Sequence, residues 1–103
     1  MEIPGFTATG TSFADAAPLP AAGRIATVDV QTVPAGSGVI LPGYVDGVTG
    51  NQLYVIRNSS ASQALLIYPQ AGGTIDGATT PYTLGTQTMT EFYAFSPLDW
   101  VHK

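Results

Sequence analysis

The nine residues IATVDVQTV at positions 25–33 alternate apolar or β-branched side chains with polar ones. Successive side chains of a β-strand point to opposite faces, so a period of two predicts a strand with one face in a core. Asp29 falls on the opposite, polar face. The inward-facing set is Ala26, Val28, Val30 and Thr32.

Glycine and proline divide the rest of the chain into short segments rich in β-branched and aromatic residues. Further strands are predicted at 39–41, 53–58, 64–69, 88–95 and 98–101. The short polar linker SSAS at 59–62 predicts an antiparallel hairpin between its two flanking runs. No segment has helical spacing. We therefore predict an all-β fold, a compact antiparallel β-sandwich or barrel of about six strands.

Residues 1–23 differ from the rest because small residues, Pro and Gly dominate and no period is sustained. We predict an extended N-terminal arm at 1–23 and a β-sandwich or barrel domain at 24–103. A disordered tail is the alternative. We favour an arm that orders on a partner, because aromatic side chains are costly to leave in water. The expected partner-binding residues of the arm are Phe6, Phe13 and Leu19.

Charged residues make up only 10% of the 103 residues, whereas ordinary soluble domains carry about 25%. Such a surface is poorly hydrated unless another chain covers part of it, or unless Thr, Ser, Gln and Asn side chains solubilise a monomer. The runs 53–58 and 64–69 are apolar on both faces, which is typical of strands covered on both sides. The second cover is either loops of the facing sheet or a neighbouring subunit. Tyr54 and Tyr68 are the expected partner-binding residues of these runs.

The charge balance argues against several classes of partner. The net charge is −4, and the fixed cations are Arg24, Arg57 and Lys103. Nucleic acids and anionic membranes are bound by clustered Lys and Arg, so neither is expected as a partner. There is no cysteine, and therefore no disulfide or thiolate metal site. The sequence shows no signal peptide and no apolar run of about 20 residues, so we expect a soluble protein made in a cytoplasm.

No constellation of residues predicts catalysis, a metal or another cofactor. His102 is next to the C-terminus, where we expect a frayed, exposed side chain rather than a positioned base. The carboxylates are dispersed and lack the alternating spacing of a calcium loop. Asp46 and Asp76 each precede a glycine, which predicts tight turns. The glycine-rich stretch 72–77 lacks the lysine of a phosphate loop.

Five tyrosines offer an alternative reading as a carbohydrate-binding platform. Tyrosines in β-strands more often line cores and interfaces, so we give the platform less weight. These residues are Tyr44, Tyr54, Tyr68, Tyr82 and Tyr93.

The stretch from about residue 39 to 100 carries a sequence of landmarks. They are Leu41-Pro42, Asn51, LYVIRN-SSAS at 53–62, LLIYP at 65–69, GGTIDG at 72–77 and a late F-x-A-x-S before Trp100. This order resembles small β-domains of tailed-phage virion proteins, among them capsid decoration proteins and modules of tail fibres and adhesins. The resemblance leaves the first 38 residues unmatched and brings no catalytic residues.

The resemblance implies a capsid decoration (cement) protein on the outer surface of a phage head. Its expected partners are the major capsid protein and further copies of itself, most simply in a homotrimer, and its expected location is the virion. The short chain and the predicted arm favour this reading. A tail-fibre or adhesin module that binds a host receptor or carbohydrate is the alternative. A carbohydrate-binding module from another context ranks third, and we expect no enzyme.

Overall fold

The computed structural model describes residues 2–19, 25–42, 53–94 and 99–102. Within them the chain forms ten β-strands and no helix, so none that could span a bilayer. The all-β prediction is confirmed, with ten strands rather than about six. The predicted turn at Asp46-Gly47 lies outside the described residues. The strands are β1 Glu2–Thr7, β2 Ala17–Pro18, β3 Ile25–Thr32, β4 Gly38–Ile40, β5 Leu53–Asn58, β6 Leu65–Tyr68, β7 Thr74–Ile75, β8 Tyr82–Leu84, β9 Thr88–Ala94 and β10 Asp99–His102.

The strands form two sheets of mixed direction. The six-stranded sheet has the order β1-β3-β5-β9-β10-β7, and the four-stranded sheet has the order β2-β4-β6-β8. Strands β1, β3 and β5 are parallel, as are β2, β4 and β6. Strands β8 and β9 then return antiparallel to β6 and β5. The predicted antiparallel direction therefore holds for only some of the strand pairs, and neither sheet closes into a barrel through the described strands.

The parallel pairing arises because the chain passes back and forth between the two sheets. Segments 25–40 and 53–68 stack in register, and their paired residues are 28 positions apart, from Ile25 with Leu53 to Ile40 with Tyr68. The predicted hairpin across residues 59–62 was wrong, because β5 and β6 belong to different sheets. The polar linker is a corner between sheets rather than a turn within one.

Side-chain hydrogen bonds build that corner in place of the strand pairing of a hairpin. The Asn58 Nδ2 group donates to the carbonyl of Gln63 at 2.9 Å, and Asn58 Oδ1 accepts from the Ser60 N–H at 3.0 Å. Ser60 Oγ accepts from the backbone N–H of Gln63 at 3.0 Å. The Asn58 amide also donates to the carbonyls of Leu84 and Gly85, both at 3.2 Å, which ties this corner to the one between β8 and β9.

One hydrophobic core lies between the sheets. The six-stranded sheet contributes Val28, Ile56 and Phe92, and the four-stranded sheet contributes residues such as Val39 and Ile67. The alternation predicted for β3 is confirmed at positions 26, 28 and 30, which are buried, whereas position 32 at the end of the strand is exposed. Apolar burial of this kind contributes roughly 25 cal/mol per Å² and is the main stabilising term.

The N-terminal segment does not extend away as an arm but runs along the edges of both sheets. Strand β1 pairs with β3, and β2 pairs with β4. Ala8 donates its N–H to the Thr32 carbonyl at 2.9 Å, and Leu19 donates to Ile40 at 2.9 Å. Ala8 and Leu19 are buried in the main core. Pairing with the neighbouring strands satisfies backbone groups that an open sheet edge would expose.

The same segment covers the outer side of β6. Ala16 packs there with Ile40 and Tyr68 in a second, smaller cluster. The Tyr68 ring lies over Gly38, where an added Cβ would stand 2.8 Å from the ring. Strand β6 is apolar on both faces, and its second face was expected to be covered by a facing loop or by a neighbouring subunit. The chain's own N-terminal segment covers that face instead.

We expect Asn58→Asp to destabilise the fold strongly at neutral pH. The change replaces the amide donor by a carboxylate that faces three carbonyls in a buried site, and an unpaired buried charge costs about 3–5 kcal/mol. The loss should shrink at acidic pH, where the carboxyl is protonated and can donate one hydrogen bond. Urea unfolding at two pH values measures this. Gln87→Glu makes the same chemical change on the surface and should have little effect.

Ala8→Asp tests whether the N-terminal segment is packed against the body. We expect a loss of about 3 kcal/mol or more in unfolding free energy, because Ala8 is fully buried in the core. Thr7→Asp, one residue away and exposed, should change it by less than about 0.5 kcal/mol. Equal, small effects of both substitutions in thermal or urea unfolding would instead indicate a free arm.

Candidate interaction surfaces

The five residues expected to bind a partner occupy different environments. Tyr54 packs edge-on against Trp100, with ring centroids 5.6 Å apart, and both rings are buried. Leu19 is also buried in the main core, and Phe6 packs partly buried against it. Tyr54 and Leu19 therefore offer no surface to a partner in this fold. Their sequence signal, large apolar side chains in short β-rich segments, is shared by core and interface residues.

Phe13 and Tyr68 lie together on the outer side of the four-stranded sheet. Phe13 is 38% exposed and contacts Tyr68 edge-on, with ring centroids 6.0 Å apart. They border an open groove of about 260 Å³, and none of the described side chains that line it is charged. The groove has an aromatic end and a backbone-rich floor. The remaining lining residues are Pro69, Gln70, Ala71, Gly72, Gly73, Thr79 and Pro81.

The outer face of the six-stranded sheet is a second candidate surface, one that the sequence-based predictions missed. Strand register places four side chains in one row across β3, β5, β9 and β10, and none of them is buried. We call them the apolar row: Ile25, Leu53, Tyr93 and Val101. Exposed faces of sheets are normally polar, so an apolar row on such a face is a candidate contact surface for another chain.

A second row on that face carries charge. Asp29, Arg57 and Met89 are neighbours in register on β3, β5 and β9, and we call them the charged row. An open hollow of about 310 Å³ lies beside them and reaches the side chains of Glu2 and Pro4 on β1. Arg57 is the one fixed cation within the described residues. The face thus combines apolar area with charges of both signs.

The Asp29 carboxylate is held in its ionised form. Ser59 Oγ donates a short hydrogen bond to Oδ1, and Gln31 Nε2 donates to Oδ2 at 3.1 Å. The Ser59 hydrogen bond is the largest cause of a lowered pKa at Asp29. Burial raises that pKa in part, and the Gln31 hydrogen bond and the Arg57 charge lower it. Asp29 therefore presents a negative charge across the physiological pH range.

Tyr93 in the apolar row has its polar end fixed. Its hydroxyl donates to Glu91 Oε1 at 2.6 Å, and this hydrogen bond is the main reason why the pKa of Tyr93 is raised. The phenol therefore stays neutral, and its ring is tethered by a neighbour two residues away. An aromatic ring held in place loses little side-chain entropy when a partner covers it.

His102 is not the frayed tail residue that its position in the sequence predicts. It lies in β10, donates its backbone N–H to Asp76 Oδ1 at 2.9 Å, and its Nδ1 contacts Asp76 Oδ2 closely. Its ring also packs against Tyr82, with centroids 4.4 Å apart and ring planes tilted by 46°. Asp76 is in the left-handed region with φ of 55°, and Ile75 and Ala78 exchange two backbone hydrogen bonds around it. The predicted turn at Asp76-Gly77 is confirmed, and the pair fastens the last strand.

The described residues contain no group of three or more His, Cys, Asp or Glu side chains placed to hold a metal ion. Both carboxylate oxygens of Asp76 are engaged by His102, which is a strand-fastening arrangement. The aromatic groove and the outer face of the six-stranded sheet are the two surfaces that the described residues offer to a partner.

Comparison with known protein families, with curated proteins and with solved structures gave no match.

Ser59→Ala should raise the pKa of Asp29 toward its ordinary value, because it removes the strongest hydrogen bond to the carboxylate. Titration of the Asp29 carboxyl carbon by NMR measures this, and Ser62→Ala is the matched control. Since the folded pKa lies below the unfolded one, the hydrogen bond stabilises the fold above the unfolded pKa, and this is lost as pH falls through the folded value. An unchanged Asp29 titration in Ser59→Ala would contradict the assignment.

Proposed function

We propose that this chain is a capsid decoration (cement) protein of a tailed phage, bound to the outer surface of the head and bridging its capsomers. The observation that best supports the proposal is the placement of two apolar surfaces on opposite sides of the two-sheet fold. The aromatic groove lies outside the four-stranded sheet, and the apolar row lies outside the six-stranded sheet. A protein that bridges must contact two neighbours at once.

The sequence landmarks support the same proposal in a structural way. Asn58 of the LYVIRN-SSAS run forms the corner between sheets, Tyr68 of LLIYP lines the groove, and the Asp76-Gly77 turn belongs to GGTIDG. The residues that resemble phage virion β-domains are thus residues that shape this fold. The resemblance thus concerns residues that determine the fold. A decoration protein acts through its shape and its contacts, not through catalysis.

In this proposal the aromatic groove contacts the major capsid protein. Phe13 is the most suitable anchor, because it is a partly exposed aromatic side chain beside a concave surface. The described lining of the groove holds no charged side chain, so its contact with the capsid should depend only weakly on salt. Several copies, arranged as a homotrimer, would multiply a modest interface through effective concentration.

The alternative function is a tail-fibre or adhesin module that binds a host receptor or carbohydrate. The exposed Phe13 ring beside Tyr68 favours it, because aromatic side chains in an open groove also suit sugar rings. The two functions differ in what is lost when the protein is removed from the particle: resistance of the head to disruption in one case, adsorption to cells in the other.

The decoration proposal predicts that the protein raises the temperature at which phage particles release DNA. Binding to the intact shell and not to detached capsomers must stabilise the shell by mass action, up to saturation of the sites. The experiment heats stripped and re-decorated particles and follows genome release at low and high salt. Re-decoration should raise the release temperature at both.

Phe13→Ala is the matched variant in that experiment, with Gln87→Ala as the surface control. Loss of a central aromatic anchor costs about 2 kcal/mol, so affinity for particles should fall at least about tenfold for Phe13→Ala and stay unchanged for Gln87→Ala. If stripped and decorated particles release DNA at the same temperature but stripped ones lose adsorption, the adhesin alternative replaces the decoration proposal.

A further inference from the structure

The outer face of the six-stranded sheet carries most of the exposed large apolar side chains among the described residues. Ile25, Met89 and Val101 are 56%, 64% and 40% exposed, and they account for three of the four large apolar side chains with high exposure among the described residues. We propose that this face is where copies of this chain pack against each other, around an axis parallel to the strands. The inference deepens the proposed function by assigning the self-contact to a specific surface.

The register of the strands explains why an axis in this direction is favoured. Rotation about an axis parallel to the strands leaves each cross-strand row at its own height. The apolar row of one copy therefore meets the apolar row of the next, and the charged row meets the charged row. An axis perpendicular to the strands and midway between the two rows would instead place charged side chains on apolar ones and bury charges without partners.

Charge complementarity fixes where the axis lies. Asp29 and Arg57 are direct register partners on the adjacent strands β3 and β5. An axis between these strands brings Asp29 of one copy to Arg57 of the next, and in the apolar row it brings Ile25 to Leu53. This holds for three copies around the axis, as in the proposed homotrimer. Moving the axis onto β5 would instead set the Arg57 side chains against each other.

The state of the two charged groups suits such a contact. The hydrogen bonds from Ser59 and Gln31 keep the Asp29 carboxylate ionised and oriented. Arg57 is exposed, and guanidinium groups pair well with carboxylates at interfaces. Glu2 and Glu91 lie in the row between the apolar row and the charged row. The same axis brings Glu91 of one copy toward Glu2 of the next, so the Asp29–Arg57 pairs between copies must outweigh this repulsion.

Reversal of single charges tests the contact. Asp29→Lys and Arg57→Glu each place like charges together at every interface, and we expect self-association to weaken at least about tenfold in either variant. The double variant, Asp29→Lys with Arg57→Glu, restores opposite charges and should associate like the wild type. Sedimentation equilibrium over a range of concentrations measures all four proteins, and thermal unfolding confirms that each is folded.

Mixing separates contacts between copies from contacts within one copy. A mixture of the two single variants should associate more strongly than either variant alone, because the lysine introduced in one variant meets the glutamate introduced in the other. No single copy in that mixture contains the restored pair. In the apolar row, Ile25→Lys should weaken association, whereas Thr83→Lys on the exposed side of the four-stranded sheet should not.

The inference is overturned if the wild type stays monomeric at the highest soluble concentration, or if the two single variants associate as strongly as the wild type. Particle binding is scored separately. A wild type that associates through this face but binds no phage head would remove the decoration proposal and leave the inference standing. A wild type that protects particles while remaining monomeric on and off them would overturn the inference and leave the decoration proposal standing.

Discussion

The buried amide of Asn58 is the interaction on which the two-sheet arrangement depends. It donates to three carbonyls and accepts from one N–H, and these groups belong to two corners that are far apart in the sequence. Loss of a hydrogen-bond partner costs a buried polar group about 1–3 kcal/mol, so the fully buried Asn58 amide contributes to the stability of both corners. Because the amide is hydrogen-bonded to both corners, the segment β5–β6 and the segment β8–β9 turn from one sheet to the other at the same place. Their strands therefore pair in both sheets, and the neighbouring strands pair in matching register.

The parallel stacking of these segments leaves one edge of β3 and one edge of β4 without a partner strand. The N-terminal segment supplies that partner in both sheets, β1 for β3 and β2 for β4. Strand β1 contains Pro4 and shows register shifts, and β2 contains Pro18. Proline has no N–H, so it is confined to edges and bulges in sheets and discourages a further strand. The segment that looked like an arm is thus an edge-closing element, which also fills core positions with Ala8 and Leu19.

Local patterns in the sequence were enough to predict an all-β fold, the inward face of β3 and the turn at Asp76-Gly77. These patterns do not predict which strands pair. A linker of the composition SSAS is compatible both with a chain that folds back within one sheet and with a chain that crosses to the other sheet. What decides is the buried Asn58 amide, whose partners at Leu84 and Gly85 lie 26 and 27 residues away. The outer face was missed for the same reason, since Ile25 and Val101 become neighbours of one row only through the register.

The low charge content and the exposed apolar row can both be related to one constraint, the small core of a short chain. A chain of 103 residues buries about two thirds of its surface on folding, so its own core supplies a modest stability. Apolar side chains on an outer face add nothing to that core while they face water, but they stabilise the folded state once a second copy or another protein covers them, by mass action. Strand pairing holds the backbone of these residues in register, so little backbone entropy is lost when the face is covered. Assembly and folding would then reinforce each other on the same sheet.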